Sequence, residues 1–249
     1  MEENLVKLVS DWDYKPEIIH CDVLSVCPVP AQKALENAMD EMVLDDGFYF
    51  ESSTSYHRFA LELFLYPYIV GKKHGFNFST KYKNKLIKMF EIIKYLTTPG
   101  GTIPQIGDND DGRLFIFHDY PNWERNDFRY LLEIGYWVFS NNKLDLNDYN
   151  NSEINYWLFG NNYSNKKISD TLNVPKLESI SFVDSGIYII RNDIKGDYAL
   201  IKLGSPNSNA PKAHSHNDIL SIELWSSGKP IFIDPGTYCY TSNKINREY

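Results

Sequence analysis

From about Pro30 to Leu158, apolar residues recur at steps of three and four, the spacing that lines one face of a helix. Ala31, Leu35, Ala38, Met39 and Met42 form one such stripe and predict a helix over 31–44. Pro28 and Pro30 suit its entry, and Asp45-Asp46-Gly47 close it. Phe59, Ala60, Leu63 and Phe64 predict a second helix over Tyr56–Tyr66. A third covers Lys85–Leu96 and stops before Pro99-Gly100-Gly101. A fourth covers Asp127–Ser140, and a short one follows at Glu153–Phe159. The connections between them are too long for a compact four-helix bundle. Helical hairpins stacked around a ring fit better.

The stretch Asn161–Asp170 is polar, and beyond it the period becomes two. Ser179–Val183, Gly186–Arg191, Tyr198–Leu203, Ile219–Trp225 and Pro230–Ile233 are strand candidates, separated by polar breaks such as Asn192-Asp193 and Ser226-Ser227-Gly228. No helix interleaves them, which points to antiparallel sheets in a sandwich. The expected organisation is a helical portion at 1–165, a linker at 166–178 and a β portion at 179–249. Five strands are few for a large sandwich, so the sheet is expected to continue beyond this chain.

Composition narrows the chemistry. The 249 residues carry a formal charge of −8, and no run of Lys and Arg could track a phosphate backbone, so nucleic acid is not an expected partner. With 18 Tyr, 14 Phe and 5 Trp, the chain is rich in side chains that pack cores and also line sugar clefts. Cys21, Cys27 and Cys239 form neither a disulfide framework nor a thiolate metal site. The first residues do not read as a signal peptide, and no apolar run is long enough for a membrane span. Cytoplasmic residence is therefore the default expectation, with a periplasmic or secreted location if a leading segment is absent.

Three clusters look chemical. In Ala213–Gly236, His214 and His216 stand two residues apart, which in an extended segment turns both rings to one face. Asp234 ends the next apolar strand, and a hairpin would return its carboxylate toward them. Two imidazoles and a carboxylate are either three ligands of a zinc ion or a hydrogen-bonded pin for the hairpin. In Asp45–His57, an acidic and aromatic run leads to Tyr56-His57 at a helix start, where neighbours point about 100° apart. Glu51 either orients one of these rings or is solvated surface. The loop 100–113 holds Asp108, Asp110, Asp111 and Arg113; it lacks the glutamate of an EF-hand. There, Asp108 and Arg113 are either cleft residues or structural partners that shape a rim.

Together these stretches resemble the heparinase II/III-like lyases and the alginate lyases of the same build. The resemblance rests on Asp46-Gly47, Glu51, Ser52 or Ser53 and Tyr56-His57; on the Gly107–Arg113 loop; and on His214–Asp218 followed by Asp234–Tyr238. It implies an α+β multidomain fold, a partial (α/α) toroid followed by an antiparallel β-sandwich that is incomplete at its C-terminus. It also implies β-elimination on an acidic, uronic-acid-containing polysaccharide. By this resemblance Tyr56 is the phenolic catalyst and His214 the cleft histidine, with His57 beside them. Glu51, Arg58, Asp108, Arg113 and Tyr238 fall in the substrate cleft, and His216 and Asp234 would ligate a structural Zn²⁺. Two motifs of the family have no match here: an Asn-His pair upstream of the tyrosine and a further metal-binding histidine downstream. The alternative is a carbohydrate-binding or polysaccharide-assembly protein that kept such a cleft without the chemistry.

Overall fold

The structure is a computed structural model that describes residues 28–109, 112–116, 124–141, 144, 152–160, 177–204 and 214–236. Tyr238, Asp110, Asp111, the three cysteines and most of the expected linker lie outside them. Helices α1 (Pro28–Met42), α2 (Thr54–Lys73), α3 (Thr80–Leu96), α4 (Arg129–Phe139) and α5 (Ser152–Phe159) come first. Strands β1 (Ile180–Phe182), β2 (Ile187–Asn192), β3 (Asp197–Lys202), β4 (Ser221–Ser226) and β5 (Lys229–Phe232) follow. An N-terminal helical region followed by an antiparallel sheet is the order of the expected fold.

The helices assemble because each contributes one apolar stripe to a common core. Leu61 and Leu65 of α2, Leu86, Met89, Phe90 and Ile93 of α3, and Leu131 and Ile134 of α4 are fully buried together. Helix α2 runs on past the sequence-based end at Tyr66, with Pro67 inside it. Ser53 starts it in extended conformation, and its hydroxyl accepts the Tyr56 N–H at 3.2 Å.

The five strands form one sheet in chain order, every neighbour antiparallel. Its inner face packs Phe182, Ile187, Ile189, Tyr198, Leu200 and Trp225 into the same core as the helices. Polar ties lock the two layers. Arg191 donates to the Tyr95 and Thr97 carbonyls at 3.0 and 3.2 Å, and the Asp46 carboxylate accepts the Ser185 N–H at 2.7 Å. Lys202, buried on the inner face, reaches Asp218 at 3.3 Å and the Ser52 carbonyl at 3.5 Å. Burial lowers the Lys202 ammonium below the ordinary lysine range, and the Asp218 carboxylate partly offsets this.

Candidate active site

The site forms where the start of α2, a strap described at residues 103–109 and 112–114, and the segment before β4 meet. Helix α2 holds the strap with successive side chains. Thr54 donates its hydroxyl to the Pro104 carbonyl at 3.0 Å, and its backbone N–H bonds the Ile106 carbonyl at 2.9 Å. Ser53 donates to the Asp108 carbonyl at 2.7 Å, and Ser55 donates to the Asn109 side chain. Gly107 has a φ of +70°, and a Cβ there would lie 2.5 Å from the His214 carbonyl. Only glycine allows that approach, and it lets the Asp108 N–H donate to the His214 carbonyl at 2.8 Å. The strap thereby carries the sheet segment against α2.

Tyr56 and His214 are brought into contact. Their ring centroids are 3.6 Å apart and the planes differ by 11°. The rings stack, with no width for a pyranose between them. A sugar would instead meet their shared edge. Asp108 holds both histidines: one carboxylate oxygen lies 3.2 Å from His214 Nδ1, the other 2.7 Å from His216 Nε2. Burial opposes ionisation of Asp108, but the hydrogen bonds and charges of His216 and His214 outweigh it and hold the carboxyl below its usual range. Glu51 flanks the other edge of His214, 3.9 Å from Nε2. Its carboxylate also faces Tyr49, whose phenol is pushed up to about 12 by burial, by the Glu51 charge and by their hydrogen bond.

Three residues expected in the cleft are placed elsewhere. His57 is 1% exposed and enters the helical core. Its Nδ1 accepts the Tyr49 N–H at 3.1 Å, and Nε2 lies 3.0 Å from the Met89 carbonyl. The turn of roughly 100° per helical residue separates it from Tyr56. Arg58 is also 1% exposed; it donates to the Arg125 and Gly112 carbonyls at 2.9 and 3.0 Å and lies over the Phe128 ring. The Arg113 side chain, likewise buried, stands over the Tyr130 ring beside Glu62. Both guanidinium groups are buried against aromatic rings of the core.

His216 and Asp234, the expected zinc ligands, engage different partners. His216 bonds Asp108, while the Asp234 carboxylate accepts the Gly236 N–H at 2.7 Å. Asp234 lines a cavity of about 470 Å³ with Gln105, Asp218 and Glu223, away from Tyr56 and His214. Burial pushes the Glu223 carboxyl up to about 7, with the nearby Asp234 charge adding to it against a hydrogen bond from the Asp234 N–H. Among the described residues, no three His, Cys, Asp or Glu side chains form a set able to hold a metal ion.

Several contributors were not singled out in the sequence. Lys202 is visible in retrospect as a lysine on the same parity as the inward Tyr198 and Leu200. Glu62 is the acid in the otherwise apolar run from Phe59 to Leu65, four residues after Arg58. Tyr49 carries no local signal.

Family comparisons agree with this architecture. Residues 29–126 match the model of the heparinase II/III N-terminus, and residues 174–249 match that of the heparinase II/III-like C-terminal region. A heparin-sulfate lyase from Bacteroides stercoris is 24% identical over 213 residues, covering 83% of this chain and 27% of that protein. A solved heparinase III superposes with a TM-score of 0.64 at 21% identity, over 87% of this chain and 29% of its own. Heparan sulfate lyase HepC from Pedobacter heparinus gives 0.61 at 20% identity, over 86% of this chain and 29% of its own. The chain thus spans less than a third of the length of these relatives. Among the described residues no helix is long and apolar enough to cross a membrane. With both family regions matched in order and the helical and sheet layers arranged as in these structures, the chain belongs to the heparinase II/III-like family.

Proposed function

We propose that this chain carries catalytic residues of a polysaccharide lyase that cleaves uronic-acid-containing glycans by β-elimination. The supporting observation is the Tyr56–His214 contact, with Asp108 on one edge of the imidazole and Glu51 on the other. Asp108 accepts from Nδ1–H, which leaves the lone pair on Nε2 as a base. That nitrogen takes the proton from C5 of the uronate, the C5 electron pair forms the C4–C5 double bond, and the C4–O4 bond breaks. The Tyr56 phenol gives its proton to the departing O4. The step leaves an imidazolium and a phenolate, and one proton transfer restores both. Asp108 and Glu51 lie where the imidazolium charge develops and stabilise it.

The test is the unsaturated uronate product, which absorbs in the ultraviolet where hydrolysis products do not. The purified chain is incubated with alginate, heparan sulfate and hyaluronan. A signal with at least one polymer is expected. Tyr56→Phe and His214→Ala should each lower the rate by about 10²-fold or more. Full rate in Tyr56→Phe would remove the phenol from the reaction. Binding of the glycans with no product from any of them would favour a carbohydrate-binding protein.

A further inference from the structure

We infer that Glu62 is a positioning residue of this site, holding residues 112–114 in register with the helix that carries Tyr56. The inference rests on the lyase reading for what is positioned, and on the contacts of Glu62 for how. Glu62 is fully buried on α2 and lies two turns beyond the cap that bonds Tyr56. One carboxylate oxygen accepts from the Tyr130 hydroxyl, and the other accepts the Leu114 N–H at 2.6 Å. Arg113 Nε stands 3.8 Å from the first oxygen, and its guanidinium lies 4.0 Å from the centre of the Tyr130 ring. Arg58, one turn earlier on the same helix, grips the Gly112 carbonyl.

Residues 53–62 of α2 and its cap therefore contact Pro104 and Asp108 on one side and Gly112 and Leu114 on the other. Ser53 and Thr54 fix the near side of Asp108; Arg58 and Glu62 fix the far side. Asp108 in turn sets the His214 and His216 rings. A carboxylate suits the anchor because both of its oxygens accept. An amide offers one acceptor, so either Leu114 N–H or the tyrosine hydroxyl would face an NH₂ group. It would also remove the carboxylate charge that stands 3.8 Å from buried Arg113 Nε. Ser53 and Thr54 alone would leave the strap fixed on one side of Asp108 only.

The test uses the full chain with Glu62→Gln, which keeps the side-chain volume, and Tyr130→Phe, which keeps the ring under Arg113. Amide hydrogen exchange is followed at Ile106, Asp108 and Leu114 and at the core residues Ile92 and Ile93. In Glu62→Gln, exchange at Asp108 and Leu114 should rise roughly tenfold or more beyond any change at Ile92 and Ile93, with a smaller rise of the same kind in Tyr130→Phe. On a uronate polymer that the wild type cleaves, Glu62→Gln should lower kcat about tenfold and leave KM within about twofold. Asp108 exchange that only keeps step with Ile92 would overturn the inference, because Glu62 would then be a general stability residue. A wild-type chain that makes no unsaturated product would sink the lyase reading, and the exchange data would still decide whether Glu62 fixes Asp108.

Discussion

His57 shows how a histidine beside a candidate catalyst can serve the core. Its two ring nitrogens are occupied by the Tyr49 N–H and the Met89 carbonyl, and the ring stacks on Phe48 at 5.1 Å. That pattern fixes the neutral tautomer with the proton on Nε2. Burial depresses its pKa to about 4, against a hydrogen bond to Met89 that favours the charged form. In the unfolded chain the ring titrates near 6.5, so on acidification the unfolded state takes up the proton first. The contribution is fully present above pH 6.5 and falls by about 1.4 kcal/mol per unit as pH drops toward 4. His57→Gln should therefore be less stable than wild type at neutral pH by about 2 kcal/mol, with the gap closing on acidification. Urea midpoints measured for both proteins across this range would show it. Parallel curves would mean that the ring is not held neutral.

At the scale of elements, the α2–strap pair is the unit that matters. Ser53 both caps α2 and holds the Asp108 carbonyl, so Ser53→Ala should cost about 1–2 kcal/mol in chemical denaturation. Gly107→Ala should cost more, about 2–3 kcal/mol, because its Cβ meets the His214 carbonyl in a left-handed backbone. A Gly107→Ala protein as stable as wild type would mean that the strap does not make this approach. The same elements show how much could be read in advance. The five helices and five strands of the described residues were legible because their apolar periods are clean, with ends off by a few residues. The largest miss was α2, read as stopping at Tyr66, one residue before Pro67. Proline lacks an N–H and crowds the preceding turn, yet here core packing on both sides carries the helix through. Tyr56, His214, Asp108 and Glu51 were legible as candidates from motif and spacing. Their division of labour was not: nothing local tells that Asp108 holds both histidines, or that Arg58 and Arg113 turn inward to Gly112 and Glu62. Those assignments depend on contacts between distant segments.

For the whole molecule, the sheet has two unlike faces. Its inner face is buried against the helices, while Ile190, Ile222 and Phe232 on the other face are 57%, 56% and 64% exposed. Cross-strand register runs from Ile190 through Ala199 and Leu224 to Phe232, with Ile201 paired to Ile222 beside them, a continuous apolar surface. A face of this kind should bind a hydrophobic dye in the native state. Ile222→Thr with Phe232→Ser should reduce that fluorescence while moving stability by no more than about 0.5 kcal/mol per substitution. Unchanged fluorescence would place the dye elsewhere. The spacing of the site along the chain bears on synthesis. Asp108 meets His214 across 106 residues, and Ser52 meets Lys202 across 150. While the ribosome has delivered only the helices, the carboxylate waits without its imidazoles and the phenol without its stacking partner. Competence for the proposed cleavage therefore has to wait until the fourth strand's leading segment has emerged and folded back onto the helices.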